Sequence, residues 1–599
     1  MSSTKKLVII MISLIIVAGI VIGFTIASMN KNSSNNSSSS DSEEVTVTEE
    51  STALSVEYTA DEISGEYSNY TAKINLDNMS VDGDGASISG TTITISNAGV
   101  YYFSGTSSEA NIVVDADNQD VVLVFDNTNI TSSKTAVINV QKSKKTTINL
   151  AKGSNNTFTD SSNYTEFTDD DEPDACVFSK ADLSINGSGK LVINANYKDG
   201  IASKDTLKII NAEIEITSND DGIRGKDYTA IKDAKITINA GGDGIKSTND
   251  TDETLGFILI DGGNIDIEAK ADGIQAETVI NISNADIKIK TTGEIATKTN
   301  NDFGRYSNQI STSSESDSSS KGLKAGKEIT INSGKIEIES TDDTIHSNNY
   351  IIINGGNLTL SSGDDGIHAD ANILINNGTI NITKSYEGIE GAYIRIVDGD
   401  ITVNASDDGI NINGGSDNMG MMPQDSFTNM DDENRLLKIE GGNIYVNSDG
   451  DGLDSNGSIE ISGGNIEVAG SVNGGNGALD YNNKCTVTGG TLVVYGATGM
   501  WQNPTTDSTQ YSIAFSTTGS SGDKIELKDS NGNIITSFET KKAYGMICIS
   551  SQELKKGETY TLYKNGAQVS GQELTNIVTS NGSSNNQGGP GGQGMGRGR

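Results

Sequence analysis

Along the middle of the chain a polar residue, a glycine and an aliphatic residue return together at a nearly fixed interval. Asp199-Gly200-Ile201, Asp221-Gly222-Ile223 and Asp243-Gly244-Ile245 stand 22 residues apart. The series continues through Asp272-Gly273-Ile274, Lys321-Gly322-Leu323, Asp343-Thr344-Ile345, Asp365-Gly366-Ile367, Glu387-Gly388-Ile389, Asp408-Gly409-Ile410 and Asp451-Gly452-Leu453. Most steps are 21 or 22 residues, and polar insertions at 294–320 and 415–435 lengthen two of them without disturbing the pattern on either side. A short, regular period that tolerates surface insertions is the signature of a solenoid.

Within one unit, Asp364 to Lys384, three apolar or alternating runs appear: Gly366-Ile367-His368-Ala369, Ile373-Leu374-Ile375, and Thr379 to Thr383. Their length and alternation predict three short strands. Asn376-Asn377-Gly378 and its counterparts Asn354-Gly355-Gly356, Asp261-Gly262-Gly263 and Glu440-Gly441-Gly442 supply turns that tolerate positive φ. Three strands and three turns in about 22 residues predict one coil of a parallel β-helix, with Ile and Leu stacked inside. The fold class is therefore all-β, with the β-helix over 55–510. From Tyr511 the period stops, and alternating runs such as Lys524-Ile525-Glu526-Leu527-Lys528 and Tyr560-Thr561-Leu562-Tyr563 predict a small C-terminal antiparallel β cap over 511–578. Residues 579–599 are Gly-rich and predicted disordered.

The N-terminus has a different pattern. Lys5 and Lys6 precede an uncharged run from Leu7 to Met29, long enough to span roughly 30 Å of hydrocarbon. It predicts a single membrane anchor, residues 1–29, followed by a Ser/Asn-rich acidic linker over 30–54. The remainder is then an extracellular, cell-surface protein, or a secreted one if the anchor is cleaved.

Composition narrows the partners. With 34% hydrophobic and only 5% aromatic residues, the chain suits a thin aliphatic core. A net charge of −39 makes nucleic acid and anionic membrane surfaces poor partners and divalent cations good ones. Cys176, Cys485 and Cys548 are too few and too scattered for a disulfide framework or a metal cluster, and are expected to be packing residues. The chain is expected to be monomeric.

Aligning the coils on the repeated glycine shows where chemistry gathers. The preceding position carries Asp199, Asp221, Asp243, Asp272, Asp343, Asp365, Glu387, Asp408 and Asp451. Two residues after the glycine, the outward-pointing position reads Ala202, Arg224, Lys246, Gln275, Lys324, His346, His368, Glu390, Asn411 and Asp454. Coils about 4.8 Å apart place successive carboxylates within reach of one Ca²⁺, and neighbouring carboxylates repel by about 3 to 4 kcal/mol at an effective dielectric of 20. The acidic residues are densest early, so calcium ligands are expected among Asp199, Asp205, Asp220, Asp221, Asp227, Asp243, Asp250 and Asp272. The competing reading makes these aspartates turn formers bonded to backbone amides. Lys204, Arg224, Lys226 and Lys246 lie in the same strip and are candidate contacts to an anionic sugar. Lys204, Lys226 and Lys246 are also candidate catalytic bases if a neighbouring cation lowers a lysine pKa, and otherwise neutralise the aspartates. His346 and His368 are expected to be stacked surface residues, and Trp501 a packing residue at the end of the coils.

The stretch from Cys176 to Leu191, followed by Asp199-Gly200-Ile201-Ala202-Ser203-Lys204-Asp205, Asp221-Gly222-Ile223-Arg224-Gly225-Lys226-Asp227 and Gly242 to Ser247, resembles the exported carbohydrate-binding domain family of parallel β-helices. Met500-Trp501-Gln502-Asn503-Pro504 and Ser508-Thr509-Gln510 are similar to that family's C-terminal part. The resemblance implies a right-handed, three-sheet β-helix similar in fold to family 9 pectate lyases. It further implies binding of calcium and of plant-wall or other acidic polysaccharide, with Asp199, Asp205, Asp221, Asp227 and Asp243 as the carried-over positions and Lys204, Lys226 and Lys246 nearby. The expected function is a calcium-dependent polysaccharide-binding module for polygalacturonate-like chains or cellulose. The alternatives are a calcium-dependent pectate lyase using a lysine base, and a surface adhesin or structural rod.

Overall fold

The computed structural model describes residues 52, 54–167, 172–293, 319–413 and 435–582. Strand pairing through most of the chain follows one rule: each strand pairs in parallel with the strand one coil later. Three ladders result. The first runs through Asp199–Ser203, Ile223–Gly225 and Ile245–Ser247, the second through Thr206–Ile210, Tyr228–Lys232 and Phe257–Asp261, and the third through Glu213–Ser218, Lys235–Ala240 and Asn264–Ala269. This is the parallel β-helix expected from the period.

The core follows from the register. Ile201, Ile223, Ile245, Ile274, Leu323, Ile345, Ile367, Ile389, Ile410 and Leu453 pair in succession along the first ladder, and all are fully buried. Each such side chain removed from water contributes about 1.5–3 kcal/mol before entropy is counted. The third ladder alternates strictly, as in Lys235–Ala240 and Asn264–Ala269, with one face in the core and the other in solvent.

Two kinds of glycine hold the coil together. At the turns, Gly262, Gly356, Gly378 and Gly442 have φ between +79° and +128°, a region that favours glycine. The glycine of the Asp-Gly pair instead avoids a collision. A Cβ on Gly222 would lie 2.5 Å from Ile238 Cγ2 and 2.6 Å from the carbonyl oxygen of Gly244.

The coils begin well before the Asp-Gly period. Ala72–Asn75 already pairs in parallel with Gly99–Ser107, and the early core stacks aromatic rings, with Phe103 and Phe158 each 5.0 Å from Phe125. The helix Ala60–Ser64 is closed by a capping box between Thr59 and Glu62. It lies against the second ladder, where Glu62 accepts a hydrogen bond from Ser184 Oγ (2.7 Å) and pairs with Lys145 (3.2 Å).

At the far end Thr491–Gly496, the last strand of the third ladder, pairs antiparallel with Tyr544–Ser551. A separate four-stranded antiparallel sheet follows, built from Lys524–Lys528, Ile534–Glu539, Thr559–Lys564 and Ala567–Glu573. Antiparallel pairing closes an edge that would otherwise recruit another strand. Trp501 is buried in the core and donates to Asn503 Oδ1 at 2.9 Å, and the three cysteines are buried and free.

The expectation of a single membrane span and of a membrane-anchored cell-surface location is corrected. No helix among the described residues is long and apolar enough to cross a membrane. Residues 7–29, on which that expectation rested, lie outside the described residues.

Candidate functional site

The outer face of the first ladder brings the Asp-Gly carboxylates and the outward series together in the register expected. Arg224 faces Lys246, Gln275 faces Lys324, His346 faces His368, and Asn411 faces Asp454. The carboxylates are more deeply buried than turn positions would be, with Asp199, Asp272 and Asp343 at most 2% exposed.

One oxygen of each ladder aspartate accepts a backbone N–H of the following coil. Asp199 Oδ1 accepts the backbone N–H of Asp221 (3.2 Å), Asp221 that of Asp243 (2.9 Å), Asp243 that of Asp272 (2.8 Å), and Asp272 that of Lys321 (2.8 Å). The aspartates therefore bond backbone amides, but of the next coil rather than of their own turn. Each charged oxygen gains a donor, and each exposed coil edge gains an acceptor.

The second oxygen divides the ladder into zones. In the early coils it meets a cation: Arg224 bonds Asp199 and Asp174 (Nε to Asp199 2.8 Å, Nη2 to Asp174 2.8 Å), Lys246 bonds Asp243 (2.6 Å), and Lys324 approaches Asp272 (3.4 Å). Burial works against the Lys246 charge, but Asp243 and Asp221 outweigh it and raise the ammonium pKa. Burial lifts the Asp199 carboxyl to about 7 even with Arg224 beside it, and burial with Asp243 lifts Asp221 to about 6.

In the middle zone Lys321 bonds Asp343 and reaches Asp342 at 3.1 Å, while His346 Nδ1 lies 3.0 Å from Asp343 Oδ2. The expectation that the two histidines sit at the surface is corrected: His346 is 6% and His368 1% exposed, covered by the flanking carboxylates.

Among the described residues the last zone shows no countercharge. Glu387 receives only the amide of Asn411 (2.7 Å), and among the described residues no Lys, Arg or His pairs with Asp408, Asp451 or Asp454. Burial, with neighbouring carboxylates, pushes Asp408 to about 6, Asp451 to about 7, and both Glu387 and Asp454 to about 8.

Of the residues singled out from the sequence, Asp199, Asp221, Asp243, Asp272, Arg224 and Lys246 thus share this face. Lys204, Asp205, Lys226 and Asp227 sit apart, at the corner leading to the second ladder. Lys204 pairs with Glu172 at 3.0 Å and lies 6.0 Å over the Phe178 ring, and Asp227 accepts from Asn249 at 2.7 Å. Asp205 is pushed to about 6 by burial and by Asp182 and Asp227, whereas Lys226, Asp220 and Asp250 are exposed.

A second feature had no counterpart in the sequence reading. Between the outer face of the third ladder and the C-terminal antiparallel sheet runs a cleft of about 460 Å³. Thr402, Asn443, Tyr445, Asn465 and Glu467 line one wall and Thr536, Ser537 and Phe538 the other. The floor is an amide ladder in which Asn465 donates to Asn443 (3.0 Å) and Asn443 to Asp400 (2.7 Å). Phe538 stacks on Tyr495, centroids 5.8 Å apart, and the Tyr495 hydroxyl donates to Glu467 at 2.9 Å. Burial, with Glu467 nearby, lifts the Tyr445 phenol to about 12, so it stays a hydrogen-bond donor at neutral pH. Half-exposed rings beside fixed amide and carboxylate acceptors are suited to a ligand with apolar faces and hydroxyl edges.

Comparison with known proteins gives consistent matches. The profile described as carbohydrate-binding domain-containing protein matches residues 89–366. A carbohydrate-binding domain-containing protein from Acetivibrio thermocellus is 45% identical over 225 residues, covering 37% of this chain and 77% of the relative. Among solved structures, the polysaccharide lyase-like protein from C. thermocellum, a gadolinium derivative, is 37% identical, covers 38% of this chain and 92% of its own, and superposes with a TM-score of 0.37. The early ladder lies inside the matched segment, whereas the cleft and the uncompensated carboxylates lie beyond it. The coil architecture and a 45% identical relative matched over most of its length place this chain in the carbohydrate-binding domain-containing protein family.

Proposed function

We propose that this protein binds polysaccharide, and that the cleft between the third ladder and the C-terminal sheet holds the sugar chain. Family membership supports carbohydrate as the ligand class, and the cleft is the observation that carries the site. Tyr445 and Phe538 offer ring faces to the apolar faces of pyranose rings. Thr402, Asn443 and Asn465 offer donors and acceptors at the spacing of successive coils, and Ser537 adds a hydroxyl from the opposite wall.

Charge selects among sugars. Asp400 and Glu467 accept hydroxyl protons but repel carboxylates, and the chain as a whole carries −39. A neutral β-linked glucan such as cellulose suits this cleft better than polygalacturonate, which requires a bridging cation to approach it. A lyase reading has less support, because a lysine base needs a lowered pKa and that of Lys246 is raised by Asp243 and Asp221 against the effect of burial.

Titration of the protein with a soluble cello-oligosaccharide tests the reading. Tyr445→Ala and Phe538→Ala are each expected to weaken binding about tenfold, equivalent to about 1.4 kcal/mol of stacking. Polygalacturonate in chelator is expected to show no binding. Affinity for the cello-oligosaccharide unchanged in both variants, with an unaltered circular dichroism spectrum, contradicts the cleft as the site.

A further inference from the structure

We propose that Asp408, Asn411, Asp451 and Asp454 form a divalent-cation site of calcium type on the late coils, outside the segment matched by the family profile. The carboxylates of Asp408, Asp451 and Asp454 present oxygens that all lie within 4.8 Å of one another. Calcium–oxygen bonds of about 2.3–2.6 Å let one ion reach such a set at once.

The independent observation is Asn411. This side chain is 3% exposed, and its Oδ1 is buried with no hydrogen-bond partner. Its amide nitrogen is turned back to Glu387 of the preceding coil at 2.7 Å. A planar carboxamide then leaves the oxygen on the side away from Glu387, and the register partner of Asn411 in the following coil is Asp454. An orphaned buried carbonyl oxygen costs free energy unless something electropositive meets it. Among the described residues no donor hydrogen meets it.

The site is also held in place. Asp408 Oδ1 accepts the Asp451 N–H at 2.6 Å, and Asp451 Oδ1 accepts the Gly477 N–H. Each of these aspartates thus has one oxygen fixed by the backbone and the other free to ligate. An all-oxygen donor set with three carboxylates favours a hard cation over a thiophilic or imidazole-seeking metal. In the early coils the corresponding second oxygens of Asp199, Asp243 and Asp272 face Arg224, Lys246 and Lys324. The cation that Arg or Lys supplies there is supplied here by the ion.

The test uses the intact protein, stripped with chelator and titrated with calcium chloride by calorimetry, beside Asp454→Asn and Asp408→Asn. Each variant is expected to lose one bound calcium, or to bind it at least about tenfold more weakly. A second readout comes from thermal stability. Without calcium, Asp454→Asn is expected to melt at or above wild type, because a like-charge repulsion is gone. With saturating calcium it is expected to melt below wild type, because the ion no longer stabilises the fold. Unchanged calcium stoichiometry and affinity in both variants, or an Asp454→Asn melting difference that is the same with and without calcium, overturns the proposal.

Discussion

At the scale of single residues, the coil is built on a notch. The glycine of each Asp-Gly pair leaves room for the β-branched side chain of the third ladder: Ile216 at Gly200, Ile238 at Gly222, Ile267 at Gly244, Ile289 at Gly273, Ile338 at Gly322 and Val446 at Gly409. The exception carries the argument. Thr344 replaces the glycine in one coil, and Leu360 stands in the third ladder between Ile338 and Ile382, where its neighbours are β-branched. Leucine has no branch at Cβ, so the space needed by the Thr344 side chain is open, and its hydroxyl donates to the Gly366 carbonyl. Gly222→Ala is therefore expected to cost about 1–3 kcal/mol by overpacking. Ile238→Leu in the same chain is expected to recover part of that loss, giving a favourable coupling energy in a double-mutant cycle measured by denaturant unfolding.

At the scale of elements, the helix Ala60–Ser64 docks through one buried acid. Burial pushes the Glu62 carboxyl up, but hydrogen bonds from Thr59 and Ser184, with the charges of Lys208 and Lys145, outweigh it and hold the group at about 2. The folded pKa lies below the ordinary 4.5, so the unfolded chain binds more protons between those values and stability is lost as pH falls through that window. Glu62→Gln is expected to flatten the acid limb of a melting-temperature profile between about pH 4.5 and 2. It is also expected to lower stability at neutral pH, since the Lys145 pair and the capping box are both weakened. A profile as steep as wild type over that range would place the acid sensitivity elsewhere.

The ladders show which features the sequence made readable. Register on the first ladder follows from the 22-residue step between repeat units, so Arg224 beside Lys246 and His346 beside His368 can be read directly. Burial could not, because the carboxylates that cover the histidines reach over from neighbouring positions rather than from their own. The early coils, inside the expected 55–510 span, follow a different pattern. Strands such as Gly99–Ser107 and Asp120–Thr131 are long and the core is aromatic, so no Asp-Gly marker recurs there.

At the scale of the whole molecule, a chain of charge −39 distributes its relief unevenly. Arginine and lysine neutralise the early ladder, histidine and Lys321 the middle, and among the described residues no Lys, Arg or His pairs with the late carboxylates Asp408, Asp451 and Asp454. Aspartates are densest in the early strip, yet density does not reveal which carboxylates lack a countercharge. The cleft was further out of reach: Tyr445 and Phe538 are separated by a change of architecture, and no local motif links them. Their approach depends on the antiparallel pairing of Thr491–Gly496 with Tyr544–Ser551 that seats the C-terminal strands against the third ladder.

The most direct measurement is a crystal structure of the protein soaked with a cello-oligosaccharide of six units. Sugar density between Tyr445 and Phe538, with hydroxyls bonded to Asn443, Asn465 or Glu467, is the predicted result. Ordered sugar on the first-ladder face, with the cleft empty at the same occupancy, would contradict the account.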